Sequence, residues 1–217
     1  VPLLPALLAR FPEMDNDEES DEAPVTWRSF LRDKVAWCVV VLLALGVTAE
    51  LGAGGWMVNY LEKVHGFSPF RASGMMSLFF LCFMIARLAF GALTDRIGFV
   101  RSIILFAGAC GLLSCVGVLI GEHGAVLLAL AGAGIGPVYP TVMAFLARRY
   151  TRGTSAAITF TVTAIGILGV AGNFIIGGVT DAFGYEAGYL VIGGCALACA
   201  AAGAVLYSWL RKEGRLI

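Results

Sequence analysis

Gly91-Ala-Leu-Thr-Asp95-Arg96-Ile-Gly98-Phe-Val-Arg101 is a short charged interruption between two long apolar runs, and its reading decides the fold. Gly91 has no side chain, so a neighbouring helix can pack against the end of the run before it. Asp95 is an anion placed to meet a positive helix N-terminus, worth about 0.3–1 kcal/mol. Gly98 permits a sharp turn into the next run. Arg96 and Arg101 hold the loop in water and can pair with Asp95 or with carbonyls. A loop that only anchored topology would need the charges but not Gly91, Asp95 and Gly98 at these spacings.

Outward from this loop the chain is apolar. Of 217 residues, 59% are hydrophobic and 14% charged, with a mean hydropathy of +0.86. A soluble domain carries roughly 25% charged residues, so lipid replaces water over much of this surface. The 28 glycines agree, since small residues let membrane helices approach closely. Six apolar segments are expected at about 35–61, 72–93, 102–120, 125–147, 155–180 and 187–210, each near the ~20 residues that span a bilayer. They are apolar all round, unlike the striped helices of a soluble bundle. The expected fold is all-α, a bundle of six transmembrane helices. The loops support the count: eleven of the fifteen basic residues fall on one side and only Lys63 and Arg71 on the other. The bias makes both ends cytoplasmic, most simply in a bacterial inner membrane.

The ends differ from the middle. Residues 1–9 are apolar but short, and read as the tail of a preceding transmembrane helix. Residues 10–34 form an acidic linker in which Glu13 to Glu22 holds seven of the fifteen acids, too polar to bury a core. Residues 211–217 are a cytoplasmic tail. The six cysteines lie in apolar runs without CxxC spacing or a histidine among them, so no metal site and no cofactor are expected. His65 and His123 read as exposed loop residues. A net charge of +0 without a basic, aromatic-interleaved patch gives no sign of nucleic acid. No span carries a Ser/His, HExxH or paired-Asp constellation, so an enzyme is not expected.

The quoted loop, with its last arginine one position later, resembles the GxxxDRxGxR signature that the major facilitator superfamily carries between helices two and three of each six-helix half. The resemblance implies one half of such a transporter, here the C-terminal half. It also implies that Gly91, Asp95, Arg96, Gly98 and Arg101 form a conformational latch. The other partners would be the lipid bilayer, a small solute, and a missing N-terminal half or a second six-helix chain. A partial echo, Gly177-Gly-Val-Thr-Asp181-Ala-Phe-Gly184, follows the fifth segment on the outer side. Asp181 there can equally cap a helix end.

Charges and breaks within the spans supply the site candidates, because an ionisable residue there costs about 2.5–3.5 kcal/mol on insertion scales. Glu50 lies about 22 Å along the first span at ~1.5 Å per residue, and Leu51-Gly52-Ala-Gly54-Gly55-Trp56 after it is expected to break or kink the helix. Glu50 is a candidate proton carrier, with Trp56 and Asn59 offering a stacking face and hydrogen bonds. The alternative places Glu50 in the hydrated interface, with Trp56 and Tyr60 in the aromatic belt. Arg87 stays undecided between snorkelling to the cytoplasmic interface and joining the loop four residues on. Gly132-Ala-Gly134-Ile-Gly136-Pro137-Val-Tyr139-Pro140 should bend the fourth span and free carbonyls. Gly166, Gly169 and Gly172 make a strip for close helix contact. Tyr139 and Asn173 are further cavity candidates.

The run Thr48-Ala-Glu50-Leu-Gly52-Ala-Gly-Gly-Trp56-Met-Val-Asn59-Tyr60 resembles the seventh helix of fucose-permease-like sugar–proton symporters. That resemblance implies substrate or proton roles for Glu50 and Asn59. The alternatives are a drug or organic-acid exporter of the same fold and a six-helix membrane protein that transports nothing.

Overall fold

Asp33 starts the first long helix. In the computed structural model, which describes residues 30, 32–151 and 153–214, its carboxylate accepts the Val35 N–H at 2.8 Å. That bond satisfies one of the free donors of helix α1 (Lys34–His65). α1 ends on Gly66 at φ 65°, where the Gly66 and Phe67 N–H groups donate back to the Glu62 and Leu61 carbonyls. Ser68 and Pro69 open α2 (Pro69–Ala89). A short helix α3 (Gly91–Ile97) carries the charged loop and leads into α4 (Phe99–Ile120). A 3-10 turn (Gly121–Gly124), α5 (Ala125–Ile135), α6 (Val138–Arg149), α7 (Thr154–Phe183) and α8 (Tyr185–Lys212) follow. The expected segment at residues 1–9 and the linker up to residue 29 lie outside the described residues.

By length and hydropathy five stretches can cross a membrane, and one of them, Phe99–Arg149, is 51 residues long. At ~1.5 Å per residue that is more than twice the ~30 Å hydrocarbon core. The 3-10 turn folds it into two antiparallel arms: Gly124 lies against Gly117, and Gly134 against Phe106 and Cys110. Gly121, at φ 74°, supplies the reversal. The result is six crossings.

Helix α5 sits between α2 and α4. A Cβ built on Gly132 would fall 2.3 Å from the Phe79 carbonyl oxygen, and one on Gly136 2.5 Å from that of Phe83. On the other face a Cβ on Gly134 would lie 2.7 Å from the Cys110 nitrogen. Three glycines at two-residue steps therefore bring backbone against backbone on two sides. The bend expected here also occurs, as a turn at Gly136-Pro137 between α5 and α6. Helix α8 packs on α4 and α1, and α7 on α1 and α8. The rims are α2 and α7, of whose apolar windows 17% is buried against 61% for α1.

Several expectations change. Helix α1 runs unbroken through Gly52, Gly54 and Gly55. Gly52 instead makes room for Ile192 and Ile176, and Gly54 for Phe80, while Gly55 faces open space. Tyr60 is no belt residue: it is 1% exposed, with its ring 4.9 Å from Tyr189. His65 is the half-buried last residue of α1, and its Nε2 lies 3.0 Å from the Tyr60 hydroxyl. His123 is exposed, as expected. In the glycine strip of α7, Gly172 meets Thr48 and Gly169 meets Val47, whereas Gly166 faces open space.

The start of α1 is tied to the end of α6. Asp33 accepts from the Tyr150 hydroxyl at 2.5 Å and lies 3.7 Å from Arg149. Burial first, then the bond to Asp33, holds the Tyr150 phenol well above its usual range, so it remains a donor. Phe30, 1% exposed, packs its ring 5.1 Å from both Tyr150 and Phe160. The last residues of the stretch read as a linker thus belong to the bundle.

Two outcomes follow for thermal unfolding in detergent. Gly132→Ala lowers stability by about 1–3 kcal/mol, since the Phe79 backbone has to move, whereas Gly55→Ala is neutral or stabilising by up to about 1 kcal/mol. Equal effects would remove the backbone-contact argument. Asp33→Ala costs about 2–3 kcal/mol, more than a lost cap alone and less than a fully buried ion pair. Asp33→Asn, which keeps the cap, costs less than half of that.

Candidate functional site

The trough between the two rims is the candidate site. A cavity of about 950 Å³ is walled by Glu50 with Val47 and Leu51 from α1, Arg87 from α2, Tyr139 from α6 and a long stripe of α7. That stripe holds Gly166, Gly169, Asn173, Gly177 and Asp181. Its residues share one face because neighbours recur every three or four positions, about one helical turn.

Arg87, undecided from sequence, points into this cavity and not to the charged loop. Its Nε donates to the Gly136 carbonyl at 3.0 Å, and its guanidinium lies 4.4 Å above the Phe83 ring. That carbonyl is available because Pro140, four residues on, has no N–H to close the helical bond. The freed carbonyl expected in the fourth span is thus present and is capped by a cation from another helix. Asn173 donates from Nδ2 to the Gly169 carbonyl at 3.0 Å, which leaves its Oδ1 as an acceptor. The Glu50 carboxylate and the Tyr139 hydroxyl have no hydrogen-bond partner among the described residues.

Trp56 and Asn59 are placed elsewhere. Trp56 packs beside Gly177 and 6.4 Å from the Tyr185 ring, and Asn59 is exposed away from the cavity wall. Helical arithmetic accounts for this: nine residues at ~100° each set Asn59 on the opposite side of α1 from Glu50. The same arithmetic brings Val47 and Leu51 beside Glu50. Asp181, part of the partial motif echo or a helix cap by sequence, joins the wall because it lies two turns beyond Asn173.

The charged loop forms a second, separate cluster. Asp95 lies 3.7 Å from Arg148 at the end of α6, both side chains more than half exposed. It does not cap α4, whose first turn has no side-chain cap. Arg148 also lies 4.8 Å over the Phe99 ring. Arg101 donates through Nη2 and Nε to the Tyr207 hydroxyl at 2.6 and 3.2 Å, so it reaches α8 and not Asp95. Gly98 has φ 95°, the turn expected of it. Nothing stands within 4 Å of a Cβ on Gly91, and Arg96 is exposed. These contacts, with the Asp33–Arg149 pair, gather the basic loops at one end of the bundle. Among the described residues no group of three metal-binding side chains occurs.

The sequence matches the model of the Major Facilitator Superfamily over residues 2–168 and again over 75–215. Two solved structures share the fold. The E. coli fucose:proton symporter FucP is 20% identical, with a TM-score of 0.79 over 94% of this chain and 51% of its own. FucP in the outward conformation, described as a Major Facilitator Superfamily transporter, is 21% identical, again at 0.79, over 94% and 50%. The chain thus spans about half the length of the structures it matches. No curated protein matches the sequence. On the family match and the shared fold, this chain is an integral, multi-pass membrane protein with the architecture of one six-helix half, and it belongs to the Major Facilitator Superfamily.

Proposed function

We propose that this bundle works as half of a secondary transporter that moves a small polar solute of sugar size by alternating access, coupled to protons. The carrying observation is Glu50, an intramembrane carboxyl on the wall of a cavity of about 950 Å³, at the upper end of the range of ligand pockets. Such a residue is costly in lipid and is retained where it binds or relays. Asn173 and Tyr139 offer an acceptor and a hydroxyl to the same space. The likeness to FucP, described as a fucose:proton symporter, supports protons and a sugar. The trough is open along one side, where a partner half would close it, either from the same longer protein as its N-terminal half or as a second six-helix chain. The basic end is the cytoplasmic one, in a bacterial inner membrane.

The exposed Asp95–Arg148 pair suits a latch. An exposed pair is worth about 0–1 kcal/mol, small enough to be made and broken as the two halves rock. Arg101 on Tyr207 holds the start of α4 to α8 while that happens, and the open face at Gly91 leaves room for the partner half.

Two measurements test this. In proteoliposomes holding the full native chain, an inward proton gradient drives uptake of L-fucose or a related monosaccharide. Glu50→Gln lowers that uptake at least roughly tenfold, the effect expected of a lost proton relay, while solute exchange without a gradient persists. Gradient-driven uptake that survives intact in Glu50→Gln removes the proton role. Asp95→Asn slows uptake several-fold while shifting stability by less than about 1 kcal/mol; loss of stability in step with transport makes the loop structural instead.

A further inference from the structure

We infer that Arg87 is a solute-binding residue and that the cavity is selective for solutes bearing a carboxylate, such as sugar acids, over their neutral counterparts. This rests on the reading of the cavity as the solute site.

The geometry around Arg87 prepares a receptor for a planar oxyanion. Its Nε is engaged by the Gly136 carbonyl, and the face of its guanidinium lies on the Phe83 ring. One hydrogen bond and one ring contact fix both the position and the plane of the group. The two terminal nitrogens have no hydrogen-bond partner among the described residues, and the side chain is exposed to the cavity. A fixed guanidinium with two free terminal nitrogens matches the two oxygens of a carboxylate, an arrangement a lysine ammonium does not reproduce. Snorkelling does not describe this residue, since a snorkelling arginine turns its charge toward the interface and is not held by a carbonyl at the break in another span.

Charge balance points the same way. The charged groups on the wall are Arg87, Glu50 and Asp181, and Asp181 is exposed two residues before the end of α7. Within the membrane part, Arg87 and Glu50 offset each other. If Glu50 takes up the coupled proton, a neutral solute leaves Arg87 as an uncompensated charge in a largely apolar space, which is expensive. A carboxylate on Arg87 keeps the loaded cavity as neutral as the empty one. The remainder of such a solute, a polyol, meets the Tyr139 hydroxyl and Asn173 Oδ1.

The test is calorimetric binding to the full native chain in detergent, using matched probes: galactose with galacturonate, glucose with glucuronate, and sorbitol with gluconate. The carboxylated member of at least one pair is expected to bind roughly tenfold or more tighter than its neutral partner, the size of a charge-assisted bond pair. Arg87→Gln abolishes that preference, so the ratio of carboxylate to neutral affinity falls to about one. Arg87→Lys keeps the charge but loses most of the preference. Pro140→Ala controls for folding: it returns an N–H to Gly136 within the helix, releases Arg87 from its anchor, and reduces the preference with Arg87 still present. Equal binding within every pair, or a preference unmoved in Arg87→Gln, overturns this assignment and leaves proton-coupled sugar transport standing. Binding of neither member of any pair overturns both.

Discussion

Backbone contact between α5 and its two neighbours is the constraint on which the site depends. In lipid no hydrophobic force drives one helix onto another, so association rests on close packing and on interhelical hydrogen bonds. Gly132 and Gly136 put α5 directly on the α2 carbonyls of Phe79 and Phe83, while Gly134 puts it on α4. Arg87 stands one turn beyond Phe83 on α2. The close approach of Phe83 to Gly136 is therefore what brings the Arg87 guanidinium to the Gly136 carbonyl. Pro140 supplies the other half of the arrangement by leaving that carbonyl free. The helix contact and the anchor of Arg87 are built from the same four residues.

The basic end is arranged by a different economy. Arg148 and Arg149 are neighbours in sequence, yet they serve separate carboxylates. Arg148 pairs with Asp95 in open water, where the interaction is weak and reversible. Arg149, 12% exposed, pairs with an Asp33 that also caps α1 and accepts from Tyr150. Desolvation makes that second arrangement expensive to break. One dipeptide thus separates a contact suited to switching from one suited to holding the first helix in place.

Much of this was legible from residue order. The loop from Gly91 to Arg101 could be read because its glycines and charges stand near the spacing of a family signature, and the six crossings because bilayer thickness sets helix length. The hairpin inside Phe99–Arg149 was legible too, since basic residues alternate only if the chain reverses there. Other residues could not be placed by type. Gly52, Gly54 and Gly55 suggested a break, but a glycine in a membrane helix equally admits a neighbour's side chain, and only Ile192 and Phe80 decide which. Tyr60 suggested an interface because amphipathic rings favour one, and His65 an exposed loop, yet the two rings share a hydrogen bond and Tyr60 is buried. Asn59 and Trp56 could have been separated from Glu50 by angle alone. Arg87 could not, because its partner lies 49 residues away on a carbonyl.

The position of Glu50 also tells what faces the open stripe of α1. That helix packs against α2, α7 and α8, and Val47, Glu50 and Leu51 lie on the part that faces the cavity. Lipid against that stripe would impose the full cost of an intramembrane carboxyl, about 2.5–3.5 kcal/mol. Arg87 on the same wall would add a similar cost. Both costs fall if the stripe faces polar solute, water, or another protein surface that encloses a cavity with it. Two opposite charges on one cavity wall are hard to reconcile with a lipid boundary, and they suit a space that holds water or a polar solute.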